Sequence, residues 1–275
     1  MRRLLAGTAA ASVTLAGVLL VGQSAQAAGT AAVSVVHGIP NTPVNVFVNG
    51  KDALPDFKPG TVAGPLQLAA GSYDVKIFPA SDTSGTGTPV LQTSTTLSAG
   101  QNVSLLAHLD VNGKPALTGF SNDPSPIAAG KARLVVRHTA AAPAVDVRAN
   151  GAVAFAGLTN PNEDSADLPA GSITADVVLA GTQTVVLGPA PLNLTAGTET
   201  IVYAIGSATA KTLGLVVQTI NGLAAAPAGV PAGTGGMVAA QAANTPAWIW
   251  LLVGLGGLLV VAGLGGGRRL VRAEH

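Results

Sequence analysis

"VVHGIPNTPVNVFVNG", residues 35–50, returns in altered form as "VRHTAAAPAVDVRANG", residues 136–151. At an offset of 101, His37 falls on His138, Val44 on Val145, Asn45 on Asp146, Val46 on Val147, and Asn49-Gly50 on Asn150-Gly151. Two further blocks keep the same order: "LAAGSY" from Leu68 matches "LPAGSI" from Leu168, and "LSAGQNVSLLA" from Leu97 matches "LTAGTETIVYA" from Leu194. Ordered blocks whose offsets drift only slightly mark a duplicated domain, with changes in length confined to loops. The units are expected over 32–120 and 131–220, each long enough to fold as its own sandwich or barrel. "SNDPSPIAAG", 121–130, reads as a short linker between them.

Within each unit the apolar residues recur every second position. Val33 and Val35, then Val44, Val46 and Val48, then Tyr73, Val75 and Ile77, then Val103, Leu105, Ala107 and Leu109 alternate with other residues, as half-buried strands do. The second unit repeats this with Val145 and Val147, with Ile173, Ala175 and Val177, and with Val202 and Ala204. Asn49-Gly50 and Asn150-Gly151 are hairpin turns, because a type I′ turn needs positive φ at both central residues. No amphipathic helix interrupts the pattern. The expected class is all-β, with seven or eight short strands per unit.

Both ends of the chain read as envelope signals. Arg2 and Arg3 precede an apolar run from Leu4 to Val21 and a small-residue "AQA" site, the order of a secretory signal peptide over 1–27. The uncharged stretch 247–267 has the length of a membrane-crossing helix. Trp248 and Trp250 stand at its outer edge, and Arg268, Arg269 and Arg272 lie in the basic tail, 268–275, which places the tail inside and the domains outside. Residues 221–246, rich in Ala, Gly and Pro, read as a stalk. "PAGTG", 231–235, faintly resembles a sortase substrate, so a cut and wall-linked end is the alternative to a retained anchor.

Composition narrows the partners. The chain has no cysteine, so the exported part holds together by its cores rather than by disulfides. Between residues 28 and 246, nine Lys and Arg stand against twelve Asp and Glu. That balance disfavours nucleic acid, whose binding draws on neutralised phosphates. The expected partners are the lipid membrane, through the C-terminal helix, and an envelope protein or wall polymer.

The blocks "VSVVHGIPNTPVNVFVNG" and "LAAGSYDVKIFPA" resemble a bacterial extracytoplasmic family, domain of unknown function 4397, whose pattern is V-V-H, V-D-V-Y-V-N-G and L-P-A-G-x-Y. The resemblance covers about two thirds of the chain in two copies. Asn45 replaces the usual Asp in the first copy, and Ala149 and Ile173 replace Val and Tyr in the second. It implies two tandem immunoglobulin-like β-sandwich domains in a bacterial envelope protein, and the Ala and Gly richness points to a high-GC Gram-positive source. It implies no activity.

Chemistry is sparse in the sequence. H-E-x-x-H, G-x-S-x-G and G-x-x-x-x-G-K are all missing, and "GTG" at 85–87 sits in a Ser/Thr/Gly loop with no helix after it. His37 and His138 are the repeated candidates, with Asn45 and Asp146 eight residues on in what reads as the paired strand. Imidazole suits a transition metal, but one His per unit without a second His or Cys at ligand spacing favours a ring that fixes a loop. His108 has no counterpart, since Ile205 takes its place. Both Trp residues lie at the expected membrane boundary, which leaves no aromatic platform for sugar stacking. "NEDSAD", 162–167, reads as a solvated acidic turn without the EF-hand spacing. No catalytic residue, metal or cofactor is expected. The reading is a non-enzymatic, membrane-anchored envelope protein that presents tandem sandwiches for binding or adhesion. A ligand-free spacer, or a wall hydrolase or metal-dependent enzyme, are the alternatives.

Overall fold

A computed structural model describes residues 29–226. The expected signal peptide, membrane span and basic tail, and all but the first residues of the expected stalk, lie outside them. The described residues are all-β and contain no helix. The first unit has strands β1 (Thr30–His37), β2 (Val44–Val48), β3 (Lys51–Phe57), β4 (Val62–Ala69), β5 (Gly71–Pro79), β6 (Leu91–Leu97), β7 (Asn102–Leu109) and β8 (Pro115–Ser121). The second has β9 (Lys131–His138), β10 (Val145–Ala149), β11 (Ala152–Leu158), β12 (Glu163–Pro169), β13 (Gly171–Leu179), β14 (Val185–Leu194), β15 (Glu199–Ile205) and β16 (Gly214–Ile220).

Each unit is a pair of four-stranded sheets, and the two units share one topology. The orders β4-β1-β7-β8 and β3-β2-β5-β6 recur as β12-β9-β15-β16 and β11-β10-β13-β14. In each copy the first strand runs parallel to the seventh, β1 beside β7 and β9 beside β15, and the other pairings are antiparallel. The Asn-Gly turns close the β2–β3 and β10–β11 hairpins with positive φ at both residues: 50° and 76° at Asn49-Gly50, 51° and 82° at Asn150-Gly151. Each Asn side chain then accepts from the backbone N–H of the neighbouring strand, Asp74 or Thr174, at 2.9 Å. The first and second strands of a unit lie in opposite sheets, so the pairing expected between the His strand and the Asn/Asp strand is replaced by packing across the sandwich.

The sandwich interiors are Val- and Ala-rich. Val44, Val46, Val75, Ile77, Leu105 and Ala107 fill the first, and Leu134, Val136, Val145, Val147, Val177 and Val202 the second, with Phe155 and Leu158 closing one side. A third apolar layer lies between the units: Val36, Leu106 and Phe120 meet Val135, Ile201, Tyr203, Ile205 and Val216. The sheets containing β1 and β9 therefore pack face to face, and the described residues form a stack of four sheets with two inner and two outer layers. The half-buried alternation expected for the His strands does not hold there. β1, β7, β9 and β15 are buried on both faces, because the positions between the sandwich-facing valines look into the other unit. Gly38 marks how close the layers come: a Cβ added to it would stand 2.9 Å from Ile205 Cγ2.

The joining segment is fastened rather than loose. Ile127 is fully buried, its N–H donates to Leu223 O at 2.6 Å, and its carbonyl accepts from Ala225 N at 2.9 Å. Leu223 N in turn donates to Gly197 O at 2.9 Å, so the chain stays attached to the second unit beyond β16, through Ala225.

Candidate functional site

The repeated histidines end β1 and β9 and are almost fully buried, each 1% exposed. His37 Nε2 donates to Thr42 O at 2.7 Å, and its Nδ1 accepts from Ile39 N at 3.4 Å. Those partners make it the neutral tautomer protonated on Nε2. His138 Nε2 donates in the same way to Pro143 O at 2.9 Å, while its buried Nδ1 has no partner among the described residues. Burial pushes both imidazoles below their ordinary pKa, with the loop carbonyls pulling weakly the other way. Each ring holds the loop that carries the chain from the inner to the outer sheet.

Asn45 and Asp146 do not meet the histidines. Each accepts, at 2.7 Å on Oδ1, the N–H of a positive-φ residue on the adjacent bulged strand: Asp56 (φ 48°) for Asn45 and Gly157 (φ 65°) for Asp146. The other end of each side chain ties a second loop, Asn45 Nδ2 to Asp82 O at 2.8 Å and Asp146 Oδ2 from Gly181 N at 2.8 Å. The N–H groups of Gly181 and Gly157 hold the Asp146 carboxyl below the usual carboxylate range. The Asn-for-Asp exchange between copies thus preserves the tie to the bulge and swaps an acceptor for a donor at the second loop. No group of three or more His, Cys, Asp or Glu stands in metal-binding geometry among the described residues. Replacing His37 and His138 with Gln is expected to cost about 1 kcal/mol at each loop, seen as a lower melting temperature with metal content unchanged. Calorimetry paired with elemental analysis checks this, and an unchanged melt contradicts it.

The richest polar constellation lies between the units. Arg137, 1% exposed, takes the position that Val36 holds in the first copy. It forms an ion pair with Glu163 through Nε, donates from Nη1 to Tyr203 Oη at 2.7 Å and from Nη2 to Asn122 Oδ1 at 2.8 Å, and lies 4.5 Å over the Phe120 ring. Tyr203 Oη donates to Gln218 Oε1 at 2.7 Å, which also accepts from Ser104 Oγ at 3.0 Å. Asn122 Nδ2 donates to Asn102 Oδ1 at 2.8 Å and to Ser104 Oγ at 3.0 Å. Two bonds of this network cross between the units, Arg137 to Asn122 and Ser104 to Gln218.

At the other end of this layer, His108 Nε2 lies 2.9 Å from Thr118 Oγ1 and its Nδ1 lies 3.3 Å from Thr139 O. Asn160 Nδ2 donates to both Leu109 O and Ala140 O at 2.7 Å. His108 lacks a repeat counterpart because it faces the second unit, where Ile205 is part of the apolar layer. The "NEDSAD" segment is not a solvated turn: Glu163–Pro169 is strand β12, paired with β9. Its carboxylates meet that strand's arginines, Glu163 with Arg137 and Asp167 with Arg133 at 3.0 Å.

Glu199 is a buried carboxyl of this layer left with nothing to bond. It begins β15, is 1% exposed, and neither carboxylate oxygen has a hydrogen-bond partner among the described residues. Burial pushes it up to about 7; the charges of Arg137 and Arg133 oppose that rise, while Asp123 and Glu163 add to it. The arginines are engaged elsewhere, Arg133 by Asp167 and by Asp123 at 2.9 Å.

Where β4 approaches β16, the two units leave a cleft of about 540 Å³. Ser34, Gln67, Asn102, Gln218, Thr219 and Asn221 line it, and no ionisable side chain does. Sequence reasoning missed the cleft because its walls come from both units, β1, β4 and β7 of the first and β16 of the second. A family model described as a domain of unknown function (DUF4397) matches residues 31–148. The match runs from β1 past the first unit and into β10 of the second. Comparison with curated proteins finds no match.

Proposed function

The chain carries a domain of the DUF4397 family over residues 31–148, and on that premise we propose that it is a non-enzymatic cell-envelope protein whose two stacked β-sandwiches present a binding surface outside the membrane. The second unit is a further copy of the same domain, supported by its identical strand order. The parallel closure of each inner sheet supports an immunoglobulin-like reading of both sandwiches. Export and anchoring rest on the terminal segments of the sequence, 1–27 and 247–267.

The inter-unit cleft carries the binding reading. Clefts at domain junctions are preferred ligand sites, and this one has the volume of such a site. Its uncharged lining combines these amides and hydroxyls with Ala32, Val62, Pro65, Val217 and Ile220 and suits an uncharged surface with apolar patches, such as a wall polymer or a neutral loop of an envelope protein. Full-length chain in detergent, immobilised and exposed to wall and membrane extract, should retain one saturable component. Gln67→Lys and Asn221→Lys should each release it without altering the melt. Failure of every component to saturate would turn the reading to a spacer, which the continuous four-sheet stack favours as the second possibility.

A further inference from the structure

The four sheets have eight edge strands, and six of them carry a proline, charges or a bulge. β4 carries Pro65 and a break in register, and β14 carries Pro189, Pro191 and two breaks. β3 holds Lys51, Asp52, Pro55 and Asp56; β12 holds Glu163, Asp164, Asp167 and Pro169. β8 begins with Pro115, and β11 is bulged twice. β6 is regular but presents Gln, Thr and Ser along its middle. Charges, prolines and bulges on an edge are the usual means of stopping strand addition.

β16, "GLVVQTI", has none of them. Its register against β15 is unbroken from Glu199↔Ile220 to Ile205↔Gly214, so the strand is straight. Among the described residues no backbone group outside β15 pairs with it. Two branched apolar side chains stand out from it, Leu215 at 41% and Val217 at 49% exposure. Both border an apolar cavity of about 130 Å³ that opens between the sheets of the second sandwich. The opposite face of the strand, at Gln218, borders the inter-unit cleft. Unpaired backbone, exposed apolar side chains and open space on both faces are what an added strand requires.

We propose that β16 pairs antiparallel with β16 of a second copy of this chain, across a two-fold axis, to make one eight-stranded inner sheet. The other regular edge, β6, is lined by Gln, Thr and Ser, so among identical molecules β16 is the mate whose apolar side chains match its own. Full overlap of Gly214–Ile220 with itself sets Val217 opposite Val217 and Leu215 opposite Thr219, on the same face. β-branched and apolar cross-strand pairs of this kind stabilise a ladder. The strand carries no charge, so the two copies meet without repulsion, and the leucines and valines of each copy cover the cavity mouth of the other. A closed two-fold pairing also consumes both exposed edges and leaves none for growth into a fibre. The inference does not depend on what the cleft binds.

The test uses the full chain in detergent, and the natural absence of cysteine makes single-site crosslinking clean. Val217→Cys should give a covalent dimer with a short bis-maleimide at least tenfold faster than Val111→Cys, an exposed loop position at 59%. A mixture of Leu215→Cys and Thr219→Cys chains should crosslink to each other more than either does to itself. In the cysteine-free chain, Val217→Lys should convert the sedimenting species from dimer to monomer with an unchanged melt. The proposal is overturned if the wild-type chain sediments as a monomer at tens of micromolar. It is equally overturned if Val217→Cys reacts no faster than Val111→Cys, or if its crosslinks go to a different protein.

Discussion

Glu199→Gln is expected to stabilise the protein at pH 8 by up to about 3 kcal/mol, the linkage value of a carboxyl moved from 4.5 to about 7. Between those two pH values the native state keeps a proton that the unfolded chain has released. The contribution is thus fully present below pH 4.5 and is lost as pH rises through 7. An amide of the same shape carries no charge to bury and removes this slope. Melting curves of wild type and variant at pH 4.5 and pH 8 check it: the variant should melt several degrees higher at pH 8 and alongside the wild type at pH 4.5. An equal shift at both pH values, or a loss at pH 8, would mean that the carboxylate has a partner and the account is wrong. The buried histidines slope the other way. Burial holds His37, His108 and His138 below their ordinary value, so their contribution is present above pH 6.5 and is lost as pH falls. In the Gln variant only acid-side losses should remain, those of the histidines and, at lower pH, of depressed carboxylates such as Asp146 and Asp176.

Arg137→Ala should cost about 2–3 kcal/mol at neutral pH, as expected when the charged donor of buried hydrogen bonds is removed. The guanidinium donates to Tyr203 and Asn122 and stacks on Phe120, so its loss takes a charged partner from two buried groups between the units, while the exposed Glu163 turns to water. Arg137 also holds the pKa of Glu199 down, which couples the two residues. At pH 8 the cost of Arg137→Ala should therefore be smaller in the Glu199→Gln background than in the wild type. Urea unfolding of the four chains of this cycle measures the coupling, and strict additivity or a single-variant cost below about 1 kcal/mol would refute the central role given to Arg137.

The duplicated core of each unit was legible in the sequence because its signals are local. Asn-Gly turns, the His at the end of the first strand and the alternating valines of β2, β5 and β7 each need only a few neighbouring residues. The edge strands were not: β3 contains Pro55, β12 is mostly acidic, and β6 is almost wholly polar, so none shows the expected alternation. The pairing of the units was hidden for a further reason. Positions that face across the interface are those where the copies differ most in polarity. Val36 becomes Arg137, Ser104 becomes Ile201, Leu106 becomes Tyr203 and His108 becomes Ile205. Read along one copy these look like the erosion of a repeat; set against the opposite sheet they are the two halves of one interface.

That division of labour constrains how such a chain can be shortened or lengthened. A solitary first unit would turn Val36, Leu106 and Phe120 toward water, and a solitary second one would bare Tyr203, Ile201 and the flank of Arg137 that Phe120 covers. Neither can stand in for the other, since each face has become the mould of its opposite. Descendants of this gene that gain or lose sequence should do so by whole pairs, because the heritable building block is the couple.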